Sequence, residues 1–156
     1  MTNSPDRNKR NTLMASAGLL AFAVGRVQAS TQAQKEALQQ PAERNDRAFI
    51  ERAFMMRQAA IDSGDQAYGA VIVRDGSIVG QSPSRVLLLN DPTAHAEMEA
   101  IRDASRRIGS RMLRGCTLYS SSPACPMCEA AAYWAGIERQ VSGSQVYDGG
   151  RPQLCG

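Results

Sequence analysis

Hydrophobic positions along the middle of the chain switch repeatedly between two periods. Phe49, Ile50, Ala53, Phe54, Ala60 and Ile61 recur at helical spacing, and Ser63-Gly64 supplies a stop. "GAVIVR" and "SIVGQ" then flank Asp75-Gly76, a strong two-residue hairpin signal. Helical spacing returns in "NDPTAHAEMEAIRDASRRIG". Asp91 is expected as its N-cap, Pro92 at the first helical position, Met98, Ile101, Ala104 and Ile108 as the buried stripe, and Gly109 as the stop. "CTLYSS" reads as a strand, "PMCEAAAYWAG" as a helix opening at Pro126, and "ERQVSGS" as a weaker strand followed by a Gly-rich tail. The order α-β-β-α-β-α-β predicts a three-layer α/β/α domain built on a mixed sheet.

The first 43 residues do not share this patterning. Arg7, Lys9 and Arg10 precede the uncharged stretch "NTLMASAGLLAFAVG", and Val27-Gln28-Ala29 forms a small-x-small site. Residues 1–29 therefore read as an export signal cleaved after Ala29, which would place the protein in the periplasm or outside the cell. The alternative is an amphipathic or disordered leader on a cytoplasmic protein. "KRNTLM" resembles a degenerate twin-arginine signal, with Lys9 in place of the first arginine. Residues 30–43, Gln/Ala-rich with no apolar face, read as a linker to a domain at 44–156. No apolar run reaches the ~20 residues that span a bilayer.

Charge follows the same division. Of the 18 Lys/Arg and 15 Asp/Glu in the chain, residues 1–29 hold 4 basic and 1 acidic, so the net +3 belongs to the leader. Residues 30–156 balance at zero, which counts against nucleic acid as the main partner. Thirteen of their 14 basic residues are arginine, so a local basic patch is compatible with that balance. The 43% hydrophobic and 21% charged content is ordinary for a chain that builds its own core.

Cys125-Pro126-Met127-Cys128 supports two chemistries. A C-P-x-C pair at a helix N-terminus can be a redox couple, making a thiol–disulfide oxidoreductase one reading. Such folds need several elements after the motif, and only 28 residues follow Cys128, with Pro152 as their one proline. The metal reading is favoured. Both sulfurs lie on one face of a first helical turn, where the helix dipole favours thiolate. The chain's single histidine, His95, opens the other central helix with Glu97 two residues on. His-x-Glu followed by Pro-Cys-x-x-Cys is the pattern of the zinc deaminases. His95, Cys125 and Cys128 are then three zinc ligands, the fourth position is left to water, and Glu97 is the proton shuttle.

"GAVIVRDGSIVG", "NDPTAHAEMEAIR", "GCTLYSS" and "CPMCEAAAYWAGI" together resemble the cytidine deaminase-like superfamily over residues 43–148. The similar branch holds guanine deaminases, yeast-type cytosine deaminases and tRNA adenosine deaminases. The resemblance implies a zinc-dependent hydrolase that removes an amino group from a nucleobase, nucleoside or related small amino-heterocycle, with guanine the first guess and cytosine the second. A homo-oligomer is compatible with it, since such relatives commonly pair or form tetramers, but the sequence does not fix the oligomeric state.

Three departures from the branch stand out. Pro123-Ala124 replace its Glu-Pro before the first cysteine. Ser84 stands where the branch has an asparagine that holds the base. The C-terminus looks shortened, ending in "DGGRPQLCG". These departures favour the rival reading of a catalytically idle zinc-binding module. Tyr68 and Trp134 match aromatic positions flanking the base, with core packing the alternative for each. Asn90 either lines the pocket or shapes the turn before Asp91. Glu99 is expected to be solvated or salt-bridged, and Cys116 to pack in a buried strand. A Cys116–Cys155 disulfide is compatible with export. A zinc site that recruited Cys116 would instead be closed and structural.

Overall fold

The computed structural model describes residues 37–154, so the leader, with its export signal, and Cys155 lie outside the described residues. Helix α1 (Asp46–Asp62) is capped by Asn45, whose Oδ1 accepts the Ala48 amide at 2.9 Å. The hairpin strands β1 (Gly69–Arg74) and β2 (Ser77–Pro83) follow, then a short helix α2 (Val86–Leu89) and helix α3 (Ala96–Ile108). Strand β3 (Cys116–Ser120), helix α4 (Pro126–Trp134) and strands β4 (Arg139–Ser142) and β5 (Tyr147–Gly150) complete the order.

The five strands form one mixed sheet in the order β2-β1-β3-β4-β5. Strand β3 runs antiparallel to β1 and parallel to β4, so the crossover between β3 and β4 is carried by α4. The Asp75-Gly76 turn has φ of 51° and 68°, the doubly left-handed geometry that its sequence predicts.

Alternation along β1 sorts its side chains into two cores. Val71 and Val73 join Phe49, Ile50, Ile78, Tyr119 and Val141 beneath α1. Ala70 and Ile72 join Leu118, Cys116, Ala96, Ala100 and Ala132 beneath α3 and α4. Both faces of the sheet are thus covered, which gives the three layers expected from the element order.

Small residues set how closely the helices approach. A Cβ on Gly80 would lie 2.5 Å from the Ala104 amide nitrogen, and one on Gly69 would lie 2.2 Å from the Ala53 carbonyl oxygen. The deepest face of α3 is therefore an alanine stripe, Ala96, Ala100 and Ala104; of the expected stripe Ala104 lies within it, Ile101 and Ile108 pack against the same core, and Met98 is half-buried. Those larger side chains are only partly buried, because no room remains under the helix for them.

Three further elements differ from the sequence expectation. Helix α3 begins at Ala96 with His95 as its N-cap residue, not at Pro92. Asp91 instead closes a local turn, its Oδ1 accepting both the amide and the hydroxyl of Thr93 at 2.7 Å. The run Val86–Leu89 forms a short helix with Leu87, Leu88 and Leu89 exposed. The Gly-rich tail adds a fifth strand at the sheet edge, registered Val141 to Asp148. Among the described residues no helix is long and apolar enough to cross a membrane.

Candidate metal centre

Each half of the centre is delivered by a helix N-terminus on the same face of the sheet. His95 precedes α3 with extended φ/ψ of −60° and 153°, and Cys125 precedes α4 with −74° and 165°. Pro126 at the first position of α4 presets the helical φ. The Pro123-Ala124 departure leaves this geometry in place. Ser121 pins the approach, its amide donating to the Gly69 carbonyl at 2.9 Å and its Oγ accepting the Gly69 amide at 3.1 Å.

The ligand atoms form a small, even triangle. Cys125 Sγ lies 3.6 Å from Cys128 Sγ, and His95 Nδ1 lies 3.7 Å from the first sulfur and 3.6 Å from the second. An ion bound tetrahedrally at ordinary Zn–S and Zn–N lengths would set edges of about 3.8 Å between sulfurs and about 3.6 Å from sulfur to nitrogen. The observed triangle matches those edges to within about 0.2 Å. Cys116 does not join it. Its side chain is fully buried at the far end of β3, within the core under α3 and α4.

Glu97, the second residue of α3, is buried at 5% exposure, and its Oε2 lies 3.8 Å from Cys128 Sγ. Burial raises its carboxyl, against the pull of its own backbone amide and the His95 charge. Burial likewise pushes the Cys128 thiol up, and the Glu97 carboxylate and Cys125 add to the shift. A divalent cation among these donors would offset the cost of a buried Cys128 thiolate, so the donor set fits zinc in geometry and in charge.

The turn before His95 is braced from both sides. The Arg85 amide donates to the Ala94 carbonyl at 3.0 Å, and Asn90 closes α2 with a left-handed φ of 49°. Arg102 pairs with Glu99 and reaches Thr93 Oγ1 at 3.3 Å, tying α3 to the Asp91 turn. Glu99 is therefore salt-bridged, and at 8% exposure it is buried rather than solvated.

The predicted substrate contacts are scattered. The Ser84 hydroxyl is buried and donates to Asp65 Oδ1 at 2.8 Å, so its proton is turned away from any ligand. Asp65 also accepts the Leu88 amide at 2.9 Å and the Gln66 amide at 2.7 Å, locking the loop before β1 to α2. No motif in the sequence marks Asp65 for this role. Tyr68, 46% exposed, lines a depression of about 820 Å³ together with Ser121, Ser122 and Pro123, which lead into Cys125. Trp134 is not brought to the centre. It sits six residues beyond Cys128, about 9 Å along the helix axis, exposed and edge-on to Tyr133.

A family model for the cytidine and deoxycytidylate deaminase zinc-binding region matches residues 43–144. The chain belongs to this family. Among its relatives, a guanine deaminase of Bacillus subtilis is 44% identical over 92 residues, covering 58% of this chain and 59% of the relative. A tRNA-specific adenosine deaminase of Aquifex aeolicus is 39% identical over 93 residues, covering 60% and 62%. The crystal structure of the Bacillus subtilis guanine deaminase superposes with a TM-score of 0.60 at 41% identity, over 64% of this chain and 63% of that one. The chain thus spans about three fifths of the length of the relatives it matches. They fall in the same branch of deaminases that the sequence resembles.

Proposed function

We propose that the chain is a zinc-dependent aminohydrolase that deaminates a small amino-heterocycle, with guanine the first candidate substrate and cytosine the second. The observation that carries this is the convergence of His95 Nδ1, Cys125 Sγ and Cys128 Sγ at 3.6–3.7 Å with the buried Glu97 carboxyl beside them. Zinc, when bound, supplies Lewis acidity and makes water a nucleophile near neutral pH.

Glu97, buried beside the Cys128 sulfur, is the proton carrier in this reading. It takes a proton from the attacking water and delivers it to the ring nitrogen beside the reacting carbon. A second proton carried the same way lets the amino nitrogen leave as ammonia, so one water replaces one amine. Positioned proton transfer of this kind contributes roughly 10²–10⁴ in rate. Tyr68 offers a half-exposed ring at the lip of the depression leading to Cys125, suited to lie against a planar base.

One observation favours a second reading, a zinc-stabilised binding module without turnover. Ser84, standing where the similar branch has an asparagine, donates its proton to Asp65. Ammonia release from a nucleobase and nucleoside panel separates the readings. Guanine or cytosine is expected to yield ammonia with the wild type and roughly 10²-fold or more slowly with Glu97→Ala. No release above the Glu97→Ala background from any member would sink the hydrolase reading. Stoichiometric zinc, with Cys125 and Cys128 protected from alkylation, would exclude the oxidoreductase.

Export remains part of the proposal, supported by the basic, apolar and small-x-small order of residues 1–29. The intact mass of the mature protein tests it. Loss of residues 1–29 is expected, and their retention counts against it.

A further inference from the structure

A second pocket lies at the opposite end of the sheet from the metal centre. Arg111 and Arg114 precede β3, Glu138 precedes β4, and Arg151 follows β5, so all four gather where β3 and β4 begin. Tyr133 and Trp134, from the last turn of α4, complete a cavity of about 440 Å³. Both aromatic rings are exposed, Trp134 at 67%. Among the described residues none of the three guanidinium groups has a carboxylate partner. The one carboxylate on the rim, Glu138, accepts the Gly115 amide at 3.1 Å.

The three arginines are exposed to solvent and open to a ligand. Three cations share one pocket with a single acid, although the chain beyond the leader has no excess positive charge. The cluster is therefore a local choice rather than a reflection of overall basicity. Guanidinium forks match phosphate oxygens in a bidentate way, and a phosphate dianion offsets the local charge. An exposed indole beside them gives a flat face for an aromatic base. A volume of this size falls within the range of small-molecule sites.

We propose that this pocket binds a nucleoside monophosphate, its phosphate held by Arg111, Arg114 and Arg151 and its base stacked on Trp134. The site is separate from the proposed hydrolytic centre. Arginines supply the affinity and the indole supplies the preference for a base-bearing phosphate over inorganic phosphate.

Trp134 is the chain's single tryptophan, so its emission reports this pocket directly. The zinc-loaded full chain is titrated with uridine 5′-monophosphate, uridine and inorganic phosphate, following Trp134 emission and heat of binding. Uridine 5′-monophosphate carries no amino group to remove, so its binding neither needs nor tests the deaminase reading. It is expected to quench the emission saturably and to bind at least 10-fold more tightly than uridine or phosphate. Arg114→Gln and Arg151→Gln are each expected to weaken it roughly 10-fold while leaving zinc content and the far-ultraviolet spectrum unchanged. Raising salt should weaken it as well. Trp134→Leu, followed by heat of binding, should bring the nucleotide down to the affinity of inorganic phosphate. Equal binding of uridine and its monophosphate, no saturation by 10 mM ligand (roughly the weak limit for such a site), or indifference to the arginine substitutions would each overturn the proposal. So would an oligouridylate that binds more than about 100-fold tighter, which would make the patch a strand-binding surface instead.

Discussion

Gly80 is one of two strand glycines, with Gly69, where an added methyl would meet helix backbone. It sits in β2 opposite α3, and its ideal Cβ would lie 2.5 Å from Ala104 N, 2.7 Å from Ala104 Cβ and 2.8 Å from Ala100 O. Ordinary contact begins near 3.4 Å, so Gly80→Ala requires the helix and the strand to part by about 0.9 Å. Two of the three obstructing atoms are backbone and cannot turn aside. Overpacking of this kind costs about 1–3 kcal/mol, and the backbone contacts place Gly80→Ala at the upper end. A loss of about 3 kcal/mol corresponds to a fall in Tm of roughly 10–15 °C for a domain of this size. Urea unfolding with the slope held constant gives the free energy, and thermal unfolding gives the Tm. Gly80→Ala/Ala104→Gly makes the reasoning sharper. It removes the Cβ contact and leaves the Ala104 amide and Ala100 carbonyl in place, so it should recover little stability. A Gly80→Ala loss below 0.5 kcal/mol, about the noise of an inconsequential surface change, would refute the packing account. Full recovery in the double variant would refute the claim that backbone atoms set the spacing.

Other consequences are checked more simply. Arg139 holds the Asp46 carboxyl below its ordinary range, burial opposes this, and a Tyr119 hydroxyl at 2.7 Å adds to the lowering. A depressed acid stabilises the fold above its unfolded pKa, near 3.9, and loses that contribution as pH falls through its lower folded value. Asp46→Asn should therefore lose about 1 kcal/mol or less at pH 7, because the pair is about a third exposed. It should also show a shallower fall in stability between roughly pH 4 and 2, read from urea midpoints against pH. Removing zinc with a chelator should expose Cys125 to alkylation while Cys116, fully buried in the sheet, stays protected, as mapped by mass spectrometry. Equal labelling of the two would argue against a shared ion at Cys125. Ser84→Ala removes a buried donor to Asp65 and should cost about 1–2 kcal/mol in urea unfolding. A neutral result would mean that Asp65 does not depend on Ser84.

The metal centre was legible in the sequence because its geometry is local on each side. Cys125 and Cys128 are one helical turn apart, and His95 and Glu97 are two residues apart. Each pair therefore needs only a helix N-terminus to be placed. The hairpin was legible for the same reason, since Asp75-Gly76 dictates its own turn. What sequence spacing left out depends on distance through space. The expected stripe on α3 holds at Ala104 and, at the core's edge, at Ile101 and Ile108, but it omits Ala96 and Ala100, because the close approach of β2 at Gly80 favours alanine and no periodicity count includes the opposing strand. Helix α3 starts late because Asp91 satisfies Thr93 before the helix can use it as a cap. Strand β5 carries Gly149 and Gly150 and no alternating apolar face, and its pairing with β4 supplies what its own sequence lacks.

The same logic explains why the two ends of α4 differ in character. At its start, Cys125 and Cys128 meet residues from α3 across a core of small side chains, and the donors are forced within a single ion's reach. At its end, Tyr133 and Trp134 line a cavity with loop arginines, and among the described residues that cavity is open and charged. One nine-residue helix thus separates a partly buried cluster suited to a cation from an exposed cluster suited to an anion. Opposite charges at the two ends let one ligand be bound without competing electrostatically for the other. A chain with both functions would show binding at the arginine end that survives loss of zinc, because only the helix N-terminus depends on the ion. Phosphate-bearing ligand that binds only to the zinc-loaded chain would instead mean that the metal organises the entire helix, and the two ends would have to be treated as one site.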